Sequence, residues 1–203
     1  MSRSLIFWLL LTAVAIFLVT TLAPLEKTLG TGARIIYLHG AWVWSAMITI
    51  LAAGAVGLAA LLARRENLYA WSRALGRAGI VLWVSFLPMS LYVMQVSWNG
   101  IYLDEPRFRI PFNFAVVGLF LQTGLSFFKP VWTSLANLLY GAALFLAMRS
   151  VETILHPDAP ILNSDARGIQ VFFAVLVILI LVFAWQIARL FYLWEAGRHV
   201  TSG

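Results

Sequence analysis

Apolar residues fall into six blocks along the chain, separated by short polar stretches. The blocks cover about Ser4 to Ala23, Ala41 to Ala63, Ala78 to Trp98, Phe112 to Phe128, Val131 to Met148 and Gly168 to Tyr192. About 20 consecutive apolar residues match the roughly 30 Å hydrocarbon layer of a bilayer, and buried core helices need fewer. Backbone N–H and C=O groups in hydrocarbon have no water to bond, so spans of this kind are helical. The pattern predicts an all-α, polytopic membrane protein of six transmembrane helices, a single domain over residues 1–203.

The polar stretches refine the picture. The first block follows a lone Arg3 and has the general look of a secretory signal. Its apolar region exceeds the usual 7–15 residues and Thr21-Leu22-Ala23 is a poor cleavage site, so it reads as a retained span. Pro24 to Arg34, with Gly30 and Gly32, reads as a solvent-facing link. Ala53, Gly54 and Gly57 give the second span a small face for close helix packing. Pro88 is expected to kink the third. Asn99 to Pro111 is the most polar connection, and Lys129-Pro130 separates spans four and five. Span five is expected to continue as helix to His156, followed by a loop over 157–167, with residues 194–203 as a short tail.

Composition agrees: 62% of residues are hydrophobic and 11% charged, against about a quarter charged in soluble domains. Absence of cysteine excludes disulfides, iron–sulfur clusters, Cys-ligated zinc and Cys-ligated haem. The net charge of +6 is a matter of topology rather than of nucleic-acid binding. Six spans return the chain to its starting side, which then holds Arg3, Arg64, Arg65, Arg73, Arg77, Lys129, Arg189 and Arg198 against Glu66 and Glu195 only. The opposite side balances six basic residues with six acidic ones. The arginine cluster after span two makes the termini cytoplasmic by the positive-inside rule, and His39, the 98–111 loop and His156 face outward.

Chemistry is sparse. Span interiors hold Gln95, Gln122, Asn137 and Gln186 but no acid or base, unlike most transporters and proton pumps. Of three histidines, His199 lies in the tail and is given no role. His39 opens span two in Tyr37-Leu38-His39-Gly40-Ala41-Trp42-Val43-Trp44-Ser45, and His156 follows span five in Arg149-Ser150-Val151-Glu152-Thr153-Ile154-Leu155-His156. Two imidazoles from different helices suit the axial positions of b-type haem iron. Glu152, four residues before His156, could partner its imidazole along a continued helix or meet a cation. Arg34, Arg107, Arg109 and Arg149 lie at the level of haem propionates, which guanidinium groups suit. Trp42, Trp44, Trp98 and Tyr102 are candidates to pack on the porphyrin. The plainer alternative stays open, because Trp and Tyr concentrate at any membrane interface and two interfacial histidines arise readily as hydrogen-bonded caps.

Three stretches resemble the CcmC branch of the cytochrome c assembly family, six-span proteins that bind and hand over haem. That family carries a Tyr-x-His-(x)-Pro-Ala-x-Trp-Ser-Met-like stretch at the mouth of span two, similar to Tyr37 to Met47 here. It has a second histidine in a Ser-Val-Glu…Leu-His stretch after span five, similar to Ser150-Val151-Glu152 and Leu155-His156 here but with about two residues more between the two parts. Its tryptophan-rich loop corresponds to Trp98-Asn99-Gly100-Ile101-Tyr102-Leu103-Asp104-Glu105-Pro106-Arg107. Trp98 and Arg107 match, Tyr102 is an aromatic replacement, Glu105 stands for an aspartate, and two tryptophans are replaced by Ile101 and Asp104. The resemblance implies His39 and His156 as axial iron ligands. It also implies delivery of haem b toward a haem chaperone or apocytochrome c, without enzymatic activity. The degenerate loop keeps a second reading open: a haem-bearing or structural accessory subunit of a respiratory or photosynthetic complex. Under either, the chain sits in the cytoplasmic membrane with its haem site on the extracytoplasmic side.

Overall fold

The computed structural model describes residues 3–27, 29–152, 154–156, 161 and 163–201, without the side chains of 198–201. Asp158 and the His199 side chain lie outside the described residues. Among the described residues six α-helices follow one another: α1 (Arg3–Thr21), α2 (Ala33–Ala63), α3 (Glu66–Trp98), α4 (Pro106–Gly124), α5 (Pro130–Ser150) and α6 (Arg167–Thr201). A 3₁₀ turn, Leu125–Phe127, ends the fourth. Each of the six is long and apolar enough to cross a membrane. Among the described residues there is no strand, only an isolated bridge between Glu26 and Gly30 in the first link.

Several helices outrun their apolar blocks. The third begins at Glu66, with Arg65 extended before it, about three turns ahead of Ala78. Glu66 in its first turn suits the positive end of the helix dipole. The second begins at Ala33, so His39 sits within its second turn rather than ahead of it. The expected tail after Tyr192 is instead helical as far as Thr201. Hydrophobicity marks where a segment meets hydrocarbon, and a helix ends only where its hydrogen bonds do.

The fifth helix departs in the other direction. It ends at Ser150, and Val151 is extended at φ −70°, ψ 128°. The expected continuation to His156 therefore does not form, and Glu152 and His156 are not one helical turn apart. The reason is a competing acceptor. A continued helix would send the Ile154 and Leu155 amides to carbonyls four residues back. They donate instead to the two carboxylate oxygens of Glu105, at 3.4 and 3.1 Å.

The second helix is central, packing on the first, third, fifth and sixth, while the fourth lies on the third and fifth. Its small face meets the fifth: a Cβ at Gly57 would come within 2.7 Å of the Ser134 carbonyl oxygen, and one at Gly54 within 3.1 Å of that of Asn137. The interior polar residues join helices. Gln122 donates to Asn137 Oδ1 at 2.6 Å, and Asn137 donates to the Ser72 carbonyl and Oγ at 2.9 and 3.1 Å. Ser72 Oγ donates in turn to the Ala53 carbonyl at 2.9 Å. Gln186 donates to Thr12 Oγ1 at 2.9 Å and ties the peripheral first helix to the sixth. Such bonds act as interhelical glue where no water competes.

Candidate functional site

His39 and His156 line one cleft. The second helix supplies His39 near its N-terminus, at the opposite end from Arg64 and Arg65 and about 37 Å away along the axis. The third helix supplies a stripe at helical spacing, Ser90, Met94 and Trp98, with Val93 beside it. Asn99 stops that helix in the left-handed region at φ 53°, with its amide on the Gln95 carbonyl. The chain then turns through Tyr102, whose carbonyl accepts from Glu105 N at 3.2 Å. Pro106 opens the fourth helix, where a missing N–H costs no helical bond. Glu105, Arg107 and Phe108 from this start complete the wall facing His156.

The cleft is small and partly open, enclosing room for about 30 Å³, on the order of one water molecule. His39 lies against Phe86, ring centroids 5.9 Å apart, and Phe86 meets Trp83 edge to face at 4.9 Å. Trp83 donates to the Pro111 carbonyl at 3.1 Å, tying this wall to the fourth helix. His39 Nδ1 is shut off from solvent and makes no hydrogen bond. A buried polar atom without a partner is rare and points to a strained or ligand-receiving position. The two imidazoles are near enough for the charge on one to act on the other.

Among the described residues no three His, Cys, Asp or Glu side chains converge as a ligand set for a bare metal ion. Haem does not need one, because the porphyrin fills four positions and leaves two axial ones. The cleft brings together two imidazoles, a tryptophan ring and a guanidinium, the kinds of group that hold haem where it binds.

The cleft gathers His39, His156, Trp98 and Arg107. Other candidates lie elsewhere. Trp42 Nε1 donates to the Leu82 carbonyl and Ser85 Oγ, and its ring packs near Phe183, so it knits the second helix to the third and sixth. Trp44 is half exposed on the outside of the bundle. Tyr102 meets Trp98 edge to face at 6.1 Å and covers Gly100 without lining the cleft. Arg34 is half-buried in the first turn of the second helix, outside the cleft. Arg109 and Glu152 are exposed, and Arg149 is exposed with its guanidinium 5.9 Å from the Phe145 ring.

Sequence reasoning missed Ser90, Met94 and Phe108, and valued Glu105 only as a displaced aspartate. Counting back from Trp98 in steps of four finds Met94 and Ser90. Pro106 marks Glu105 as the residue entering a helix; nothing local names its distant partners. No protein-family model matches the chain, and no curated protein matches it.

Proposed function

We propose that this chain binds one b-type haem at the cleft, with His39 and His156 as axial ligands, and passes it toward a haem chaperone or apocytochrome c. The observation supporting this is the convergence of two imidazoles, one from the second helix and one from the loop after the fifth, on a single cleft. Bound haem supplies an iron centre whose axial positions take two nitrogens. Trp98 offers an aromatic face, and Arg107 a guanidinium suited to a propionate. Arg64 and Arg65, at the far end of the second helix, favour a cytoplasmic location for that end and an extracytoplasmic cleft. Delivery rests on the resemblance to the CcmC branch. No group transfer is assigned to the chain, so it is not read as an enzyme.

A second reading, a haem-bearing accessory subunit of a respiratory or photosynthetic complex, draws support from the aromatic loop. Of Trp98 and Tyr102, Trp98 lines the cleft and Tyr102 turns outward. A site with half a platform suits holding haem better than passing it on.

The test is a spectrum of the full chain purified in detergent and titrated with haemin. A Soret band typical of six-coordinate low-spin haem is expected, and loss of that ligation in His39→Ala and His156→Ala. A protein that stays colourless sinks both haem readings. Deletion in the source cell separates them: c-type cytochromes disappear under delivery and persist under the accessory reading.

A further inference from the structure

We infer that Glu105 is the positioning residue for His156, holding the loop that carries this imidazole against the start of the fourth helix. The fifth helix ends six residues before His156, and Ile154 and Leu155 are 71% and 42% exposed. Apolar burial therefore does not fix the backbone here. Glu105 is only 4% exposed, and both of its carboxylate oxygens are used, Oε1 by the Ile154 amide and Oε2 by the Leu155 amide. The pair grips the backbone directly before His156.

The rest of Glu105 is equally committed. Its own amide donates to the Tyr102 carbonyl, and its carbonyl accepts from Phe108 and Arg109, both at 2.9 Å. The side chain makes no capping bond to its own helix. A buried carboxyl group needs hydrogen-bond partners, and the two backbone amides supply one to each oxygen. Glu105 thus joins the 98–107 loop to the His156 loop, so Trp98, Arg107 and His156 are carried on one connected rim. The consequence for haem rests on the haem reading above; the grip on the backbone does not.

Hydrogen exchange of the haem-free full chain in detergent reads the grip directly. In Glu105→Ala, amide exchange in the 151–156 segment is expected to rise on the order of tenfold or more, with the transmembrane helices unchanged. Haemin titration reads the consequence. The variant is expected to shift from a six-coordinate low-spin to a five-coordinate high-spin spectrum, as His156→Ala does, and added imidazole to restore the low-spin form. Glu105→Gln keeps the shape with one acceptor and no charge, and is expected to fall between wild type and alanine. It also decides the matter should the alanine variant not fold. Unchanged exchange at 151–156 in a folded variant overturns the proposal, as does a low-spin spectrum indistinguishable from wild type. A wild-type protein that takes up no haemin defeats the haem reading, and the exchange result still decides the grip.

Discussion

Asn137 and His39 are both polar side chains on helices built to cross a membrane, yet their surroundings differ. Asn137 is 2% exposed and fills its amide with Gln122 and Ser72, joining the fifth helix to the fourth and third. His39 keeps Nδ1 dry and unpartnered, and the residue lines a small, partly open cleft. The junction around Asn137 also leaves Gln122 Oε1 and Ser134 Oγ without partners. There, however, a Cβ at Gly57 or Gly76 would already be within 2.7 Å of a neighbour, so no ligand has room. An unpaired polar atom invites a ligand only where space adjoins it. The junction reads as structure and the rim as a site.

The largest effect is expected at the junction. Gly57→Leu would press into the Ser134 carbonyl and Ser72 Oγ, and the fifth-helix backbone cannot yield as a flexible side chain can. A loss of about 3 kcal/mol or more is expected in a detergent unfolding titration, with the haem site lost along with the fold. A Gly57→Leu protein as stable as wild type breaks the picture of a closed junction. Asn137→Leu comes next. It removes three interhelical hydrogen bonds, and interhelical bonds in membranes are individually modest, so about 1 to 2 kcal/mol is expected. The folded fraction should still bind haemin one to one. Loss of haemin binding in folded Asn137→Leu would mean that junction and rim are coupled.

How far the sequence carried the reading follows the same division. Membrane spans are legible because hydrocarbon demands long apolar runs, and all six blocks became helices. The small face at Ala53, Gly54 and Gly57 was legible because small residues on one helix side have few other uses in a membrane. That its partner is the fifth helix was not, since the spacing on one helix says nothing of its neighbour. The end of the fifth helix was misread for a related reason. Residues 151–156 carry no proline or glycine, so nothing local forbids helix. The acceptor that draws their amides away sits 50 residues upstream in the chain. Histidines and Trp98 were found because their chemistry is distinctive. Trp42, Trp44 and Arg149 share that chemistry, but their direction depends on which helix side faces the cleft.

Trp98→Leu sharpens the comparison at the rim. Stability is expected to change by less than about 1 kcal/mol, because the side chain is only half-buried and its edge contact with Tyr102 is a single aromatic pair. Haemin affinity is expected to fall by up to about tenfold, the value of one aromatic contact. That dissociation between stability and binding is the reverse of what Asn137→Leu should give.

The smallest effect separates lining from proximity. Tyr102 belongs to the same loop as Trp98 and touches it, yet its ring lies over Gly100 and is 44% exposed. Tyr102→Leu removes that edge contact while leaving the Tyr102 carbonyl to accept from Glu105 N. Haemin affinity should therefore stay within about twofold of wild type, since a leucine there alters no cleft wall and costs at most a fraction of an aromatic pair. If Tyr102→Leu instead weakens haemin as much as Trp98→Leu, the two rings act as one platform. The outward turn of Tyr102 would then be a resting position, and delivery would gain support over retention. If the affinity holds, haem meets Trp98 without Tyr102, and a chain built to keep its haem becomes the better account of the shortened aromatic loop.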